Sequence, residues 1–226
     1  MKKAFTLMEL IFVIVIIGIL TTVMMPNLTN DSLKQAAHQV AADIRYTQHL
    51  AMIDDRYDTN DISTTGVVKW YKTRWQILFS NNETGADGEW AYTIFSDTNG
   101  DSTGEPTETE IAIDPNSHRR MTGGQTGSNS LNINDDSFVG IKKLNIGKSY
   151  GISNVGFSSS CSVNNSKRLI FDYMGRPMIG NISSLTTAYD SVHLLQSDCI
   201  ITLEDNNGED ITLRIDNETG YVHVNY

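Results

Sequence analysis

Between Phe5 and Met25 the chain carries a single formal charge, Glu9, within the opening string MKKAFTLMELIFVIVIIGILTTVMM. About 20 apolar residues are what a helix needs to cross the hydrocarbon core of a bilayer, so this segment is long enough to span one. A charged side chain in such a segment costs on the order of 3 kcal/mol on insertion scales, and it ordinarily has a partner and a task. Glu9 is therefore the first candidate functional residue.

Three readings compete for this N-terminus. A secretory signal peptide would use Lys2 and Lys3 as its basic end, but it should close on a small-residue cleavage site, and Thr21, Thr22 and Met24 to Pro26 offer no convincing one. A plain signal anchor explains the basic leader and the apolar run, with Lys2 and Lys3 holding the N-terminus in the cytoplasm. It leaves Glu9 unexplained. The third reading rests on Lys2-Lys3-Ala4-Phe5-Thr6-Leu7-Met8-Glu9-Leu10, which resembles the type IV prepilin pattern of a short basic leader, a small residue, then Phe-Thr-Leu-x-Glu.

That resemblance implies cleavage by a dedicated prepilin peptidase between Ala4 and Phe5, followed by methylation of the new Phe5 amine. Ala4 departs from the pattern, where Gly is usual, but it is small enough for cleavage to be expected. The resemblance also implies that Glu9 meets the N-terminal amine of a neighbouring subunit, which gives a carboxylate in lipid the pairing it needs. Pro26 sits where pilins commonly have a proline, which removes a helix hydrogen bond and bends or loosens the helix.

After Pro26, the residues Leu33, Ala37, Val40, Ile44 and Ala51 recur at spacings of three, four or seven, flanked by Lys34, Gln35, Gln39, Asp43 and Arg45. This stripe needs a covering domain. Past Ile53 the pattern changes to β-branched and aromatic runs: Val67 to Tyr71, Arg74 to Phe79, Trp90 to Phe95, Glu110 to Ile113, Phe138 to Ile146, Arg168 to Phe171, Cys199 to Leu203, Ile211 to Ile215 and Tyr221 to Val224. The last two, joined through Asn217-Glu218-Thr219-Gly220, read as a hairpin. Two polar stretches, Asp54 to Gly66 and Asn116 to Asn132, are expected to be mobile surface loops.

The expected fold class is α+β: a long N-terminal helix, transmembrane and then amphipathic, packed on a β-rich antiparallel globular head in a pilin-like arrangement. The corresponding division is a leader over 1–4, a transmembrane helix over 5–26, an amphipathic helix over 27–53 and a periplasmic head over 54–226. With 226 residues there is length for one anchor and one domain with a real core. The chain has 17 Lys and Arg against 27 Asp and Glu, a net charge of −10, and loss of Lys2 and Lys3 with a leader takes it to −12. Such an acidic head argues against tight nucleic-acid binding, which draws its affinity from neutralised phosphates. The pairs Arg119-Arg120, Lys142-Lys143 and Lys167-Arg168 read as solvated strand or loop faces.

Within the head, Trp75-Gln76-Ile77-Leu78-Phe79 and Leu169-Ile170-Phe171-Asp172-Tyr173-Met174-Gly175-Arg176-Pro177 resemble the GspH/FimT group of minor pseudopilins and minor pilins. The implied function is a structural subunit of a type II secretion-like pseudopilus, taking part in protein export across the outer membrane. A minor pilin of a type IV pilus or DNA-uptake system, with an adhesive or DNA-contacting tip, is the alternative. Implied partners are other pseudopilins or pilins, the prepilin peptidase, an inner-membrane assembly platform and the membrane itself. The implied location is a single pass through the inner membrane, with the N-terminus cytoplasmic and the head periplasmic.

Cys161 and Cys199 both lie in the head, and an even count in an oxidising compartment favours a disulfide. Closing a loop of about 37 residues is worth about 3 to 4 kcal/mol in the chain-entropy model, and without a Cys-x-x-Cys the bond would be structural. One stretch, Asp97 to Glu108, is a candidate calcium loop, with Asp97, Asn99, Asp101 and Glu108 at positions one, three, five and twelve. Ser102 stands where that loop needs Gly, and a solvated acidic turn explains the same residues. No other cofactor is implied. There is no Gly-x-Ser-x-Gly, His-Glu-x-x-His or phosphate loop, and His38, His49, His118, His193 and His223 have no site-like spacing, so the chain does not read as an enzyme.

Overall fold

The computed structural model describes residues 6–54, 69–99 and 103–226, with only the backbone path given for 22–31. Helix α1 runs over Leu7–Ile53. Its apolar stripe of Leu33, Ala37, Val40, Ile44 and Ala51, joined by Ala36 and Ala41, is buried. Runs of alanine allow a close approach of helix to sheet, and that stripe meets both sheets of the head.

The strands are β1 (Trp75–Ser80), β2 (Ala91–Ser96), β3 (Ile152–Phe157), β4 (Arg168–Phe171), β5 (Pro177–Ile179), β6 (Cys199–Asp205), β7 (Asp210–Ile215) and β8 (Val222–Asn225). They form two four-stranded sheets, ordered β2-β1-β4-β5 and β3-β6-β7-β8. Every pairing is antiparallel. In the second sheet β6 alternates strictly between buried and half-buried residues, as a strand with one core face must. In the first sheet β2 and β4 are buried along their whole length, because both faces are covered. Ile77, Phe79, Leu169 and Phe171 face α1 and the second sheet, while Leu78 and Phe95 pack on Ile111 and Leu131 behind.

Side-chain hydrogen bonds join the helix to the head at several points. Arg45 Nη2 donates to the Val222 carbonyl at 2.7 Å. Gln48 Nε2 donates to the Gly175 carbonyl at 2.8 Å and to the Thr219 carbonyl at 2.7 Å, touching one turn from each sheet. Asp43 accepts from the Tyr92 hydroxyl, which also receives the Gln39 amide at 2.9 Å, and Tyr150 donates to Gln39 Oε1 at 2.6 Å.

The expected fold class is corrected in its helical part. Among the described residues no helix is long and apolar enough to cross a membrane. Nor does the long helix as a whole lie on the head: among the residues whose side chains are described, burial begins at Leu33, and Leu7 to Leu20 are exposed. What stands is an α+β chain with an antiparallel β-rich domain.

Several segments also differ from their sequence reading. Trp70 and Tyr71, expected as the end of a strand, lie in a 3-10 turn over Trp70–Lys72, while Val67 and Val68 lie outside the described residues, as does most of the Asp54 to Gly66 stretch. Phe138 to Ile146 is not a strand: Lys142–Leu144 is a 3-10 turn, and Asn145 caps the short helix α3 (Ile146–Tyr150) by accepting from the Lys148 amide at 2.9 Å. Glu110 to Ile113 forms only isolated bridges, Ile111 to Phe95 and Ile113 to Arg120. The Asn116 to Asn132 stretch is not a surface loop throughout, since Met121, Thr122, Gln125 and Leu131 are buried, Leu131 with Leu78 and Phe95 behind the first sheet. The basic pairs are not all solvated either: Arg168 is buried, and Arg119 donates from Nε and Nη2 to the Gly140 and Phe138 carbonyls, both at 2.6 Å.

Candidate functional site

At the start of α1, Thr6 is the N-cap and Glu9 the third helical residue, forming a reciprocal capping box. Glu9 Oε2 accepts from the Thr6 amide and the Thr6 hydroxyl, each at 2.9 Å, and the Glu9 amide donates to Thr6 Oγ1 at 3.3 Å. The one carboxylate of the apolar run thus points back toward the helix start, where the open N–H groups and the helix dipole favour negative charge. Ala4 and Phe5, the expected processing residues, lie outside the described residues.

From Leu7 to Leu20 the large apolar side chains are exposed on every side of the helix, with Phe12 at 58 %, Ile16 at 53 % and Ile17 at 56 %. An apolar surface this continuous is what soluble monomers avoid and what interfaces use. Glu9 therefore sits at the head of an uncovered apolar rod.

The expected calcium loop is organised differently from its sequence reading. Glu110, which that reading passed over, holds it: Oε1 accepts from the Thr98 and Asn99 amides at 2.7 and 2.8 Å. Its Oε2 accepts from the Thr107 amide at 2.9 Å, the Thr107 hydroxyl at 2.7 Å and Asn99 Nδ2 at 3.2 Å. Burial pushes the Glu110 carboxyl up, but the Thr107, Asn99 and Thr98 hydrogen bonds outweigh it and leave it below its ordinary value. Glu108 turns away and accepts from the Ser130 hydroxyl. Asp97 is buried at the end of β2, and Asp101 lies outside the described residues. Among the described residues no group of three or more His, Cys, Asp or Glu side chains could hold a metal. The Thr107-x-x-Glu110 spacing is itself a capping-box signature, which marked Glu110 in the sequence.

Cys161 and Cys199 are joined by a disulfide, their Cα atoms 5.3 Å apart, and both are fully buried. The bond ties the loop before β4 to the start of β6. Beside that loop, at the adjoining ends of β1 and β4, lies a cleft of about 780 Å³. Arg168 lines it from a buried position. Its Nη1 donates to Gln76 Oε1 at 2.9 Å and to the Gly104 carbonyl at 2.7 Å, and its Nη2 reaches Glu105 Oε1 at 3.2 Å. Glu105 Oε2 in turn accepts from Gln125 Nε2 at 2.9 Å. Burial lowers the Arg168 pKa, with the charges of Glu105 and Asp97 opposing the shift.

The described residues thus bring Thr98, Asn99 and Thr107 onto Glu110 and join Cys161 to Cys199. Glu9 stands alone at the far end of α1. No family model matches this chain, and neither a curated protein nor a solved structure resembles it significantly.

Proposed function

We propose that this chain is a minor pseudopilin, a structural subunit that assembles through its N-terminal helix into a short filament of the type II secretion kind. The observation that carries the reading is the capping box of Thr6 and Glu9 at the head of an apolar rod that its own chain leaves uncovered. Removal of Met1 to Ala4 would place a new amine on Phe5, directly before the amide that Glu9 already binds. A second subunit, offering its own Phe5 amine to Glu9 and its own apolar rod to Phe12 and Ile16, would cover both the charge and the surface. The reading rests on helix-to-helix packing. Related pseudopilins, the prepilin peptidase and an assembly platform are the partners it needs, and the role is structural and not catalytic.

The disulfide fits a head that works in an oxidising compartment, the periplasm in this reading. Mass spectrometry of the mature chain tests the proposal: the expected N-terminus is Phe5 carrying one added methyl group. A chain that retains Met1 in its native host overturns it.

A further inference from the structure

The cleft beside the disulfide loop has a chemistry that assembly does not use. Its walls are amphipathic: Trp90, Val163 and Val192 are apolar, the last of them 59 % exposed. Asn81, Asn164 and Asn165 turn exposed amides onto it, and none of the three makes a side-chain hydrogen bond among the described residues. His193 lines the same cleft, and its buried Nδ1 has no hydrogen-bond partner among the described residues, with Asp190 Oδ2 3.8 Å away. Arg168, with a side chain only 3 % exposed, likewise keeps its Nε without a partner. Buried polar atoms without partners are costly; these two have almost no accessible surface, so a ligand in the cleft would meet the accessible part of the His193 ring and not its Nδ1.

The two cations are already occupied. Arg168 is paired with Glu105, and Lys167 donates from Nζ to the Val155 carbonyl while lying 4.1 Å above the Trp90 ring. Burial lowers the Lys167 pKa. An anionic ligand would have to break these pairings, and the chain around them is acidic. A neutral ligand would not. A peptide added as an extra strand finds no edge here, because β1 and β4 are each paired on both sides. A pyranose ring matches the walls instead: apolar C–H faces for Trp90 and the valines, and hydroxyls that donate and accept in turn for the amides and the imidazole. The size also suits one or two sugar units, within the ~300–1,000 Å³ range of ligand pockets.

We propose that this cleft binds a neutral sugar unit of a glycan, held by the amides of Asn81, Asn164 and Asn165 and by His193. The site is independent of the assembly reading and stands or falls apart from it.

Asn164 and Asn165 have φ of 52° and 59° and form the tip of a tight turn closed by the Ser166 amide on the Val163 carbonyl. Glycine keeps such a turn, so N164G/N165G removes both amides without forcing the backbone. The full chain, held in a polyoxyethylene detergent so that no sugar headgroup competes, is titrated with lactose, cellobiose and N,N′-diacetylchitobiose while tryptophan fluorescence is followed. The expected result is a saturable change with at least one disaccharide, weakened about tenfold or more in N164G/N165G at an unchanged melting temperature. A parallel His193→Gln variant, which keeps a polar group of similar reach, should weaken the same sugar. No response to any of the three sugars overturns the proposal, as does a response that N164G/N165G leaves unchanged. Binding of inorganic phosphate or of an unstructured peptide in place of the sugars also overturns it.

Discussion

Asp43, on the helix, accepts a 2.5 Å hydrogen bond from the hydroxyl of Tyr92, a fully buried ring in the first sheet. Burial pushes the Asp43 carboxyl up to about 6, against the Tyr92 hydrogen bond that favours the charged form, and the nearby Asp114 charge adds to the rise. Tyr92 is itself raised well above its ordinary value by burial and by Asp43. The seam between helix and head therefore holds a carboxylate that the fold prefers to keep protonated.

A group whose pKa is raised on folding adds stability below its unfolded value and loses it as pH climbs through the folded one. For Asp43 the window runs from 3.8 to about 6, and two units correspond to about 3 kcal/mol. Asp43→Asn, which still accepts from Tyr92, should gain about 2 to 3 kcal/mol relative to the parent between about pH 4 and about pH 7.5. Urea unfolding at several pH values measures the difference, and a parallel offset at all pH values would remove Asp43 from this role.

Glu110 has the opposite sign. Its pKa is lowered on folding, so its contribution is present above the ordinary carboxylate range and is lost as pH falls through the lower, folded value. Glu110→Ala strands the Thr98, Asn99 and Thr107 amides, and hydrogen bonds to a charged group are worth about 1.5 to 3 kcal/mol each in net effect. A loss of about 3 kcal/mol is expected in the same unfolding assay. With Glu110 saturated by the loop and Glu108 held by Ser130, melting should be the same in calcium and in EDTA.

Glu9→Ala should leave the melting temperature of the head unchanged, because among the described residues Glu9 bonds only to Thr6. Loss of the cap frays the first turn. Thr6→Ala loosens the same cap while keeping the carboxylate. If Glu9 serves a neighbouring subunit, cross-linking of assembled chains falls in Glu9→Ala and persists in Thr6→Ala, whereas equal losses would assign Glu9 to capping alone.

The disulfide closes a sequence separation of 38 residues. Cys161→Ser with Cys199→Ser should lower stability by about 3 to 4 kcal/mol in the chain-entropy model. Dithiothreitol should cost the parent a similar amount and leave the double variant unaffected.

The sequence made the stripe from Leu33 to Ala51 legible because five apolar residues keep helical spacing, and Arg168 to Phe171 legible because four consecutive residues fill a strand covered on both faces. It hid β3, whose Ile-Ser-Asn-Val-Gly-Phe breaks strand alternation: Ser153 and Asn154 are both exposed, where the register shifts between Ile152 and Asn154. The Asn116 to Asn132 stretch looked like a solvated loop because its glycines and threonines were taken for flexibility. Gly123 is instead a point of close approach: a Cβ there would lie 2.2 Å from the Asn145 nitrogen. The expectation of a membrane-crossing helix, drawn from counting apolar letters to Met25, is not met among the described residues. At the cleft, Lys167 and Arg168 were paired as surface charge, but strand alternation sends Arg168 inward to Gln76 and Glu105. Orphaned atoms such as His193 Nδ1 have no signature in a linear sequence.

Gln48 has a mechanical consequence. One amide nitrogen grips the Gly175 turn of the first sheet and the Thr219 turn of the second, so a load drawn along α1 is divided between the sheets at their shared corner. The head should resist such a load as one block and give way in a single rupture, and with Gln48→Ala the load path to that corner is cut and the sheets are free to yield one after the other.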